Sequence, residues 1–186
     1  GASEAFAVAD HQIAHVYVQR PERISAVKAL LEKTEGVELV LDRSQQAEFG
    51  IDHERSGELV VIAAPGAWFT YYFWLDDSLA PDYARTVDIH RKPGYDPVEL
   101  FIDPAIKFPK MRIASRLARK ILGFRYYMDL TSLDASLVKG SHGRLPLPGK
   151  EDTEAPVFIC SSKAIERDEI PMTAVKDMLL ELQFGK

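Results

Sequence analysis

The chain has 186 residues, of which 46% are hydrophobic and 27% charged, values typical of one globular domain or of one domain with a small appendage. Its net charge of −5 argues against a nucleic-acid partner, because phosphate backbones attract clustered positive charge, and no apolar run approaches the roughly 20 residues that span a membrane. The single cysteine, Cys160, excludes an internal disulfide and favours a reducing, cytoplasmic compartment; a periplasmic location stays open because Gly1-Ala2-Ser3 need not be the natural N-terminus.

The first third of the chain alternates strand and helix signals. The apolar run 5–9 predicts a strand buried on both faces, as in a parallel sheet, and the β-branched residues of 13–19 predict a second strand. Pro21 suits the first position of a helix, and apolar residues then recur at helical spacing until Gly36 ends the pattern. Further strands are predicted at 37–41 and 58–64, with a short helix at 44–49 between them. We therefore expect a small α+β subdomain at 13–64, inserted after the first strand.

The rest of the chain has fewer regular elements. The aromatic stretch 68–74 favours a strand, and the proline-rich stretch 76–110 predicts ordered but irregular structure. A helix is predicted at 111–122, the apolar run 156–160 predicts a buried strand, and apolar residues at helical spacing predict a closing helix from Pro171. Residues 1–12 and 65–186 are expected to form an α/β core with a mixed or parallel sheet.

Two histidine motifs are candidates for chemistry. Asp10 and His11 follow the first predicted strand, where ligands gather in open α/β sheets, and a carboxylate beside an imidazole offers the ligand types that zinc or manganese accepts. Alternatively, Asp10 caps a turn and His11 is hydrogen-bonded at the start of a loop. Glycines on both sides of Ser141-His142 would let the backbone turn sharply and hold the imidazole of His142 at a cleft; alternatively, His142 is an exposed loop residue.

Three other groups could contact a ligand. His90, Arg91 and Lys92 precede a Pro-Gly turn, and the two cations would suit a phosphate or a carboxylate; alternatively, they are solvated loop charges. The aromatic stretch 68–74 could stack a nucleobase or a sugar, or belong to the core. The helix at 111–122 has a basic face that is either solvated or a contact for an anionic membrane or a nucleic acid, and the negative net charge argues against such a contact.

Together, the order and spacing of these motifs resemble the alkaline phosphatase superfamily, especially its nucleotide pyrophosphatase/phosphodiesterase branch. In that branch a core strand ends in an Asp-His pair, and a Gly-x-His-Gly turn, an apolar strand and an amphipathic helix follow much later. The matching features here are Val8-Ala9-Asp10-His11, Gly140-Ser141-His142-Gly143, Ala155-Pro156-Val157-Phe158-Ile159 and the helix from Pro171. Residues 55–61 and 90–97 also resemble a bacterial subgroup of these proteins.

The resemblance implies the C-terminal portion of an α/β/α sandwich and a hydrolase of small phosphate esters that uses two divalent metals about 4 Å apart. Zinc is the usual metal, and manganese occurs in related branches. Asp10 and His11 would bind the metal near a threonine or serine nucleophile, and His142 would bind the metal that activates the water cleaving a covalent phospho-enzyme. His90, Arg91 and Lys92 are the candidate substrate contacts.

The chain departs from the family's pattern in two ways. The usual Ser-Asp-His-Gly reads Ala9-Asp10-His11-Gln12, and the nucleophile and remaining ligands of the family lie upstream of Asp10, where this chain has nine residues. Since a zinc site normally has at least three protein ligands, we expect this chain alone to be inactive and to bind metal poorly. We also expect the chain to self-associate if it exposes a strand edge or an apolar surface that the missing upstream part would cover. The alternative is a non-catalytic binding or regulatory domain that kept the fold.

Overall fold

Four strands in the first third of the chain form one sheet in the computed structural model. They are β1 (Ala5–Asp10), β2 (Ile13–Val18), β3 (Val37–Leu41) and β4 (Leu59–Ala63), in the spatial order β1-β2-β4-β3. The structure describes residues 3–72, 74–87, 101–140 and 142–185. They divide between two compact units, Gly1–Arg144 and Leu145–Lys186.

Every pairing in the sheet is antiparallel, so the parallel neighbours predicted for the run 5–9 are wrong. The reason is the connection between β1 and β2, which consists of His11 and Gln12 alone, and so short a turn can join only antiparallel strands. β1 is also not buried on both faces. It lies at the edge of the sheet, with Phe6 and Val8 52% and 53% exposed.

The core lies on one face of this sheet. Alternate residues of β2 are buried, as expected for a strand with one covered face. Their partners on β4, and Val40 on the next strand β3, complete the layer. Helix α1 (Ile24–Leu31) contributes partly buried side chains to the same cluster. Its principal members are Ala14, Val16, Val18, Val40, Leu59 and Val61, with Ile24, Val27 and Leu31 from α1.

Polar contacts fix helix α2 (Arg43–Glu48) at its N-terminus and from within the helix. Its N-terminus has a capping box, in which the Asp42 carboxylate accepts hydrogen bonds from the backbone of Ser44 and Gln45. A hydrogen bond from Lys28 at 2.7 Å holds the pKa of Asp42 below its ordinary value. Within the helix, the fully buried Gln46 donates to the carbonyls of Leu41 and Gly57, which ties α2 to the strands.

Helix α3 (Pro109–Ile121) confirms the helix predicted at 111–122. Arg112 and Arg116 bind it to Asp129, and residues near Asp129 are buried, including Leu130 and Leu133. The predicted strand at 68–74 is wrong for its described residues, which are irregular. Two of them contact the β1–β2 turn: the Phe69 N–H donates to the carbonyl of His11, and the Trp68 ring stacks on His11.

The second unit contains two helices, α4 (Glu151–Glu154) and α5 (Val175–Phe184), and α5 confirms the closing helix. The predicted buried strand at 156–160 is wrong: the segment is irregular, with Val157 and Ile159 82% and 89% exposed. A strand needs a neighbour for its backbone hydrogen bonds, and residues 145–185 include none. In neither unit do the described residues form a helix long and apolar enough to cross a membrane.

Candidate functional site

The turn between β1 and β2 has an unusual backbone and many contacts. His11 has a φ of 62°, the left-handed region that residues other than glycine rarely adopt. Both His11 and Gln12 are buried, and their backbone groups and the Gln12 amide form hydrogen bonds with surrounding segments. The hydrogen bonds run from Phe69 N to His11 O (2.7 Å), from Ala63 N to Gln12 O (2.9 Å), from Gln12 N to His142 O (3.0 Å) and from Gln12 Nε2 to Ala67 O (3.0 Å).

The three residues that the sequence predicts as metal ligands meet at this turn. His142 Nε2 lies 2.9 Å from Asp10 Oδ1, although the two residues are 132 positions apart. The rings of His142 and His11 stack with centroids 5.1 Å apart and an interplanar angle of 17°. The side chains of Asp10 and His142 are 71% and 55% exposed, whereas His11 is 1% exposed. Solvent therefore reaches the carboxylate and the imidazole of this pair directly.

Two glycines allow the loop carrying His142 to approach the turn. Gly140 has a φ of 108°, and a Cβ atom there would lie 2.5 Å from the side chain of Gln12. Gly143 has a φ of 94°, and its Cβ would lie 2.9 Å from the backbone nitrogen of Ile13. This close fit also accommodates the side chain of Gln12.

An ion pair anchors the end of the same loop to the sheet. Arg144 donates from Nε and Nη2 to the two carboxylate oxygens of Glu38 on β3, at 2.7 and 2.9 Å. The guanidinium is 11% exposed and the carboxylate 34%, so the paired geometry is largely shielded from water. Such bidentate pairs are directional as well as strong, and this one fixes the end of the loop that carries His142.

Trp68 is a site residue that the sequence did not single out. Its ring stacks on His11 with centroids 5.0 Å apart, and its Nε1 donates to the carbonyl of Ala135 at 3.0 Å. The aromatic stretch 68–74 was the only signal, and it predicts a core or stacking role without indicating which ring meets His11. The other predicted site residues, His90, Arg91 and Lys92, lie outside the described residues.

Comparison with known families decides the classification. The sequence profile of the type I phosphodiesterase / nucleotide pyrophosphatase family matches residues 1–96, just over half of the chain. The chain belongs to this family. The matched part includes Asp10 and His11, while His142 lies outside it. No curated protein sequence and no solved structure shows a significant match.

Membership of the phosphodiesterase family implies metal-dependent catalysis in general, and the donors here fit that chemistry in part. A carboxylate oxygen and imidazole nitrogens are ligand types that zinc and manganese accept, and Asp10 and His142 are open to solvent. Within the part of the chain that the structure describes, however, no group of three or more His, Cys, Asp or Glu residues could hold a metal ion. The described donors therefore account for a fraction of a ligand set.

Proposed function

We propose that this chain contributes part of the metal centre of a phosphate-ester hydrolase of the phosphodiesterase or nucleotide pyrophosphatase type. Asp10 and His11 would hold the cation beside a threonine or serine nucleophile, which becomes transiently phosphorylated, and His142 would hold a second cation. Zinc is the favoured metal and manganese the alternative. When bound, two such cations polarise the phosphoryl group and activate the attacking oxygen.

The main support for this proposal is the contact between Asp10 and His142. The fold brings together a carboxylate and an imidazole from distant parts of the sequence, and it leaves both exposed. An exposed pair of this kind contributes only about 0–1 kcal/mol to stability, so it does little for the fold itself. The pair is better explained by a role in ligand binding, because it presents two donor atoms to solvent.

The stacked imidazoles support the division of ligands between two cations. The lone pairs of an imidazole lie in the plane of its ring. Because the rings of His11 and His142 are nearly parallel and stacked, their planes do not meet near the site. One cation could not lie in both planes, so His11 and His142 suit two separate cations. Trp68, stacked on His11, would keep the first ring in this orientation.

The larger architecture is also a proposal. We infer an α/β/α sandwich of the alkaline phosphatase type, in which 13–64 is an inserted α+β subdomain and 1–12 and 65–186 belong to the core. In support, β2, α1, β3, α2 and β4 all fall within 13–64. The exposed edge strand β1 also offers backbone groups to which a further strand could pair.

Substrate recognition would involve His90, Arg91 and Lys92. Arg91 and Lys92 carry the positive charge that a phosphate ester requires, and a guanidinium can bind two phosphate oxygens at once. The chemistry of these side chains and their place in the matched part of the chain support this assignment.

Zinc binding tests the proposed ligands. Equilibrium dialysis should show that the chain binds zinc much more weakly than structural sites do, whose binding free energies are about 10–16 kcal/mol, because its ligands serve two cations. Asp10→Asn and His142→Gln should each weaken this binding by at least about tenfold. The matched control is His53→Gln, which removes an exposed histidine outside the site and should leave zinc binding unchanged.

The outcomes separate the parts of the proposal. Equal effects of His53→Gln and His142→Gln would contradict the ligand assignment. Stoichiometric, tight zinc binding would contradict the partial ligand set, as would turnover of bis(p-nitrophenyl) phosphate by this chain. Binding of nucleotides without metal, unaffected by Asp10→Asn, would favour a non-catalytic binding domain instead.

A further inference from the structure

Helix α3 turns an arginine-bearing face toward the protein and an apolar face away from it. Arg112 and Arg116 have side chains 39% and 25% exposed and bind the carboxylate of Asp129. On the outer side, Met111 and Ile121 are 70% and 84% exposed. A surface helix of a globular protein normally shows the reverse arrangement, with its apolar stripe facing the core. The outer face of α3 therefore resembles a surface that binds something else.

Six large apolar side chains on and beside α3 are exposed, and together we call them the α3 apolar surface. They lie at the helix and its two ends, and each is between 43% and 84% exposed. The members are Phe108, Met111, Leu117, Ile121, Leu122 and Phe124. Large apolar side chains grouped in this way on an exposed element mark interaction sites more often than scattered ones do.

The charge around the α3 apolar surface is strongly positive. Residues 104–128 include seven Lys or Arg residues and no Asp or Glu, within a chain whose net charge is −5. Asp129 neutralises Arg112 and Arg116, but Lys107, Lys110 and Arg119 form no ion pair with any residue that the structure describes. Because salt screens exposed charges beyond about 8–10 Å, this local excess, and not the net charge, decides what the face attracts.

We propose that the α3 apolar surface binds an anionic lipid bilayer, with α3 lying in the plane of the interface. Exposed apolar side chains combined with unpaired lysines and arginines are the features of interfacial helices, in which the apolar face enters the lipid and the cations contact anionic headgroups. A second copy of the chain fits less well, because it would bring two sets of these cations together. The proposal does not depend on the metal centre.

Vesicle sedimentation of the whole chain tests this inference. The wild-type chain should sediment with phosphatidylcholine vesicles containing about 30% phosphatidylserine, and not with pure phosphatidylcholine, since each cation near an anionic bilayer raises affinity about fivefold. The double variants M111S/I121S and K110E/R119E should each reduce binding by at least about tenfold. The control is Leu30→Ser, which removes a similarly exposed apolar side chain from α1 and should not change binding.

Thermal unfolding followed by circular dichroism should show that the variants remain folded, because the substituted side chains are exposed. Absence of sedimentation of the wild-type chain with anionic vesicles would overturn the proposal. So would wild-type binding by M111S/I121S. Light scattering tests a different occupant. If the wild-type chain is an oligomer that M111S/I121S converts to monomers, and the wild type does not bind vesicles, a second copy of the chain covers this surface. That result would also overturn the proposal.

Discussion

His11 combines an unfavourable backbone conformation with several contacts to other segments. Its left-handed backbone conformation costs of order 1–3 kcal/mol for a residue other than glycine. The conformation persists because Phe69 donates to its carbonyl and because its ring stacks on Trp68 and His142. These contacts place the imidazole beside His142, where the proposed metal centre requires it.

Gly140 is one position where an added methyl group should disturb the site, because a hydrogen bond to Ala67 holds the Gln12 amide that the methyl group would meet. A Cβ there would lie 2.5 Å from the amide of Gln12, in addition to the strain of a φ of 108°. We expect Gly140→Ala to lower the free energy of unfolding by about 2–4 kcal/mol, measured by urea denaturation. Gly50→Ala is the control, since Gly50 has a φ of 66° but open space around its Cβ, and it should cost only about 1–2 kcal/mol. Equal losses for the two variants would show that the contact with Gln12 is not restrictive.

The sequence predicted some of these residues and could not predict others. Asp10, His11 and His142 could be singled out as candidate ligands because each lies in a short motif, and their role as ligands stays a prediction. Trp68 and the pair of Arg144 with Glu38 could not be singled out, because their roles depend on which distant segments pack together. The periodicity of the sequence does not predict which distant segments pack together.

At the scale of elements, α3 depends on one carboxylate. Arg116 donates two hydrogen bonds to Asp129, at 2.7 and 2.9 Å, and Arg112 adds another. The hydrogen bonds from Arg116, and then the one from Arg112, hold the pKa of Asp129 well below its ordinary value. In the unfolded chain an aspartate takes up its proton near pH 3.9. The stabilisation is therefore complete above that pH and is lost as the pH falls toward the lower pKa of the folded state.

Asp129→Asn should consequently lower the melting temperature at pH 6 to 7, and the difference from wild type should narrow as the pH falls below about 4. The control Asp52→Asn, whose side chain forms no ion pair with the described residues, should change the melting temperature little at either pH. A difference between Asp129→Asn and wild type that stays constant from pH 7 to strongly acidic pH would contradict this account.

Most elements followed from local sequence, but their pairing did not. The β-branched residues of 13–19, Pro21 and Gly36 at the ends of the α1 pattern, and the apolar spacing of α5 all predicted elements that the structure contains. The run 5–9 predicted a strand correctly but suggested parallel neighbours, whereas the short turn at His11 imposes an antiparallel hairpin. The run 156–160 has strand-forming residues and no neighbouring strand among the described residues of its unit.

For the molecule as a whole, the exposed edge of the sheet predicts association between chains. β1 is an edge strand with Phe6 and Val8 about half exposed, and unpaired backbone groups on such an edge can pair with another chain. We expect light scattering at high protein concentration to show dimers or larger species, which Val8→Lys should reduce because an edge lysine disfavours strand addition. Leu30→Lys, a comparable change on α1, should not reduce them. A monomer at all concentrations would contradict this prediction.

The proposed metal ligands are Asp10, His11 and His142. A zinc titration followed by the imidazole NMR signals of the chain tests this assignment most directly. The signals of His142 and His11 should shift or broaden as zinc is added, and Asp10→Asn should weaken that response. His15, which accepts a hydrogen bond from Gly57, and the exposed His53 should not respond. Unchanged signals for His11 and His142, or equal shifts at His15 and His53, would contradict the proposed metal centre.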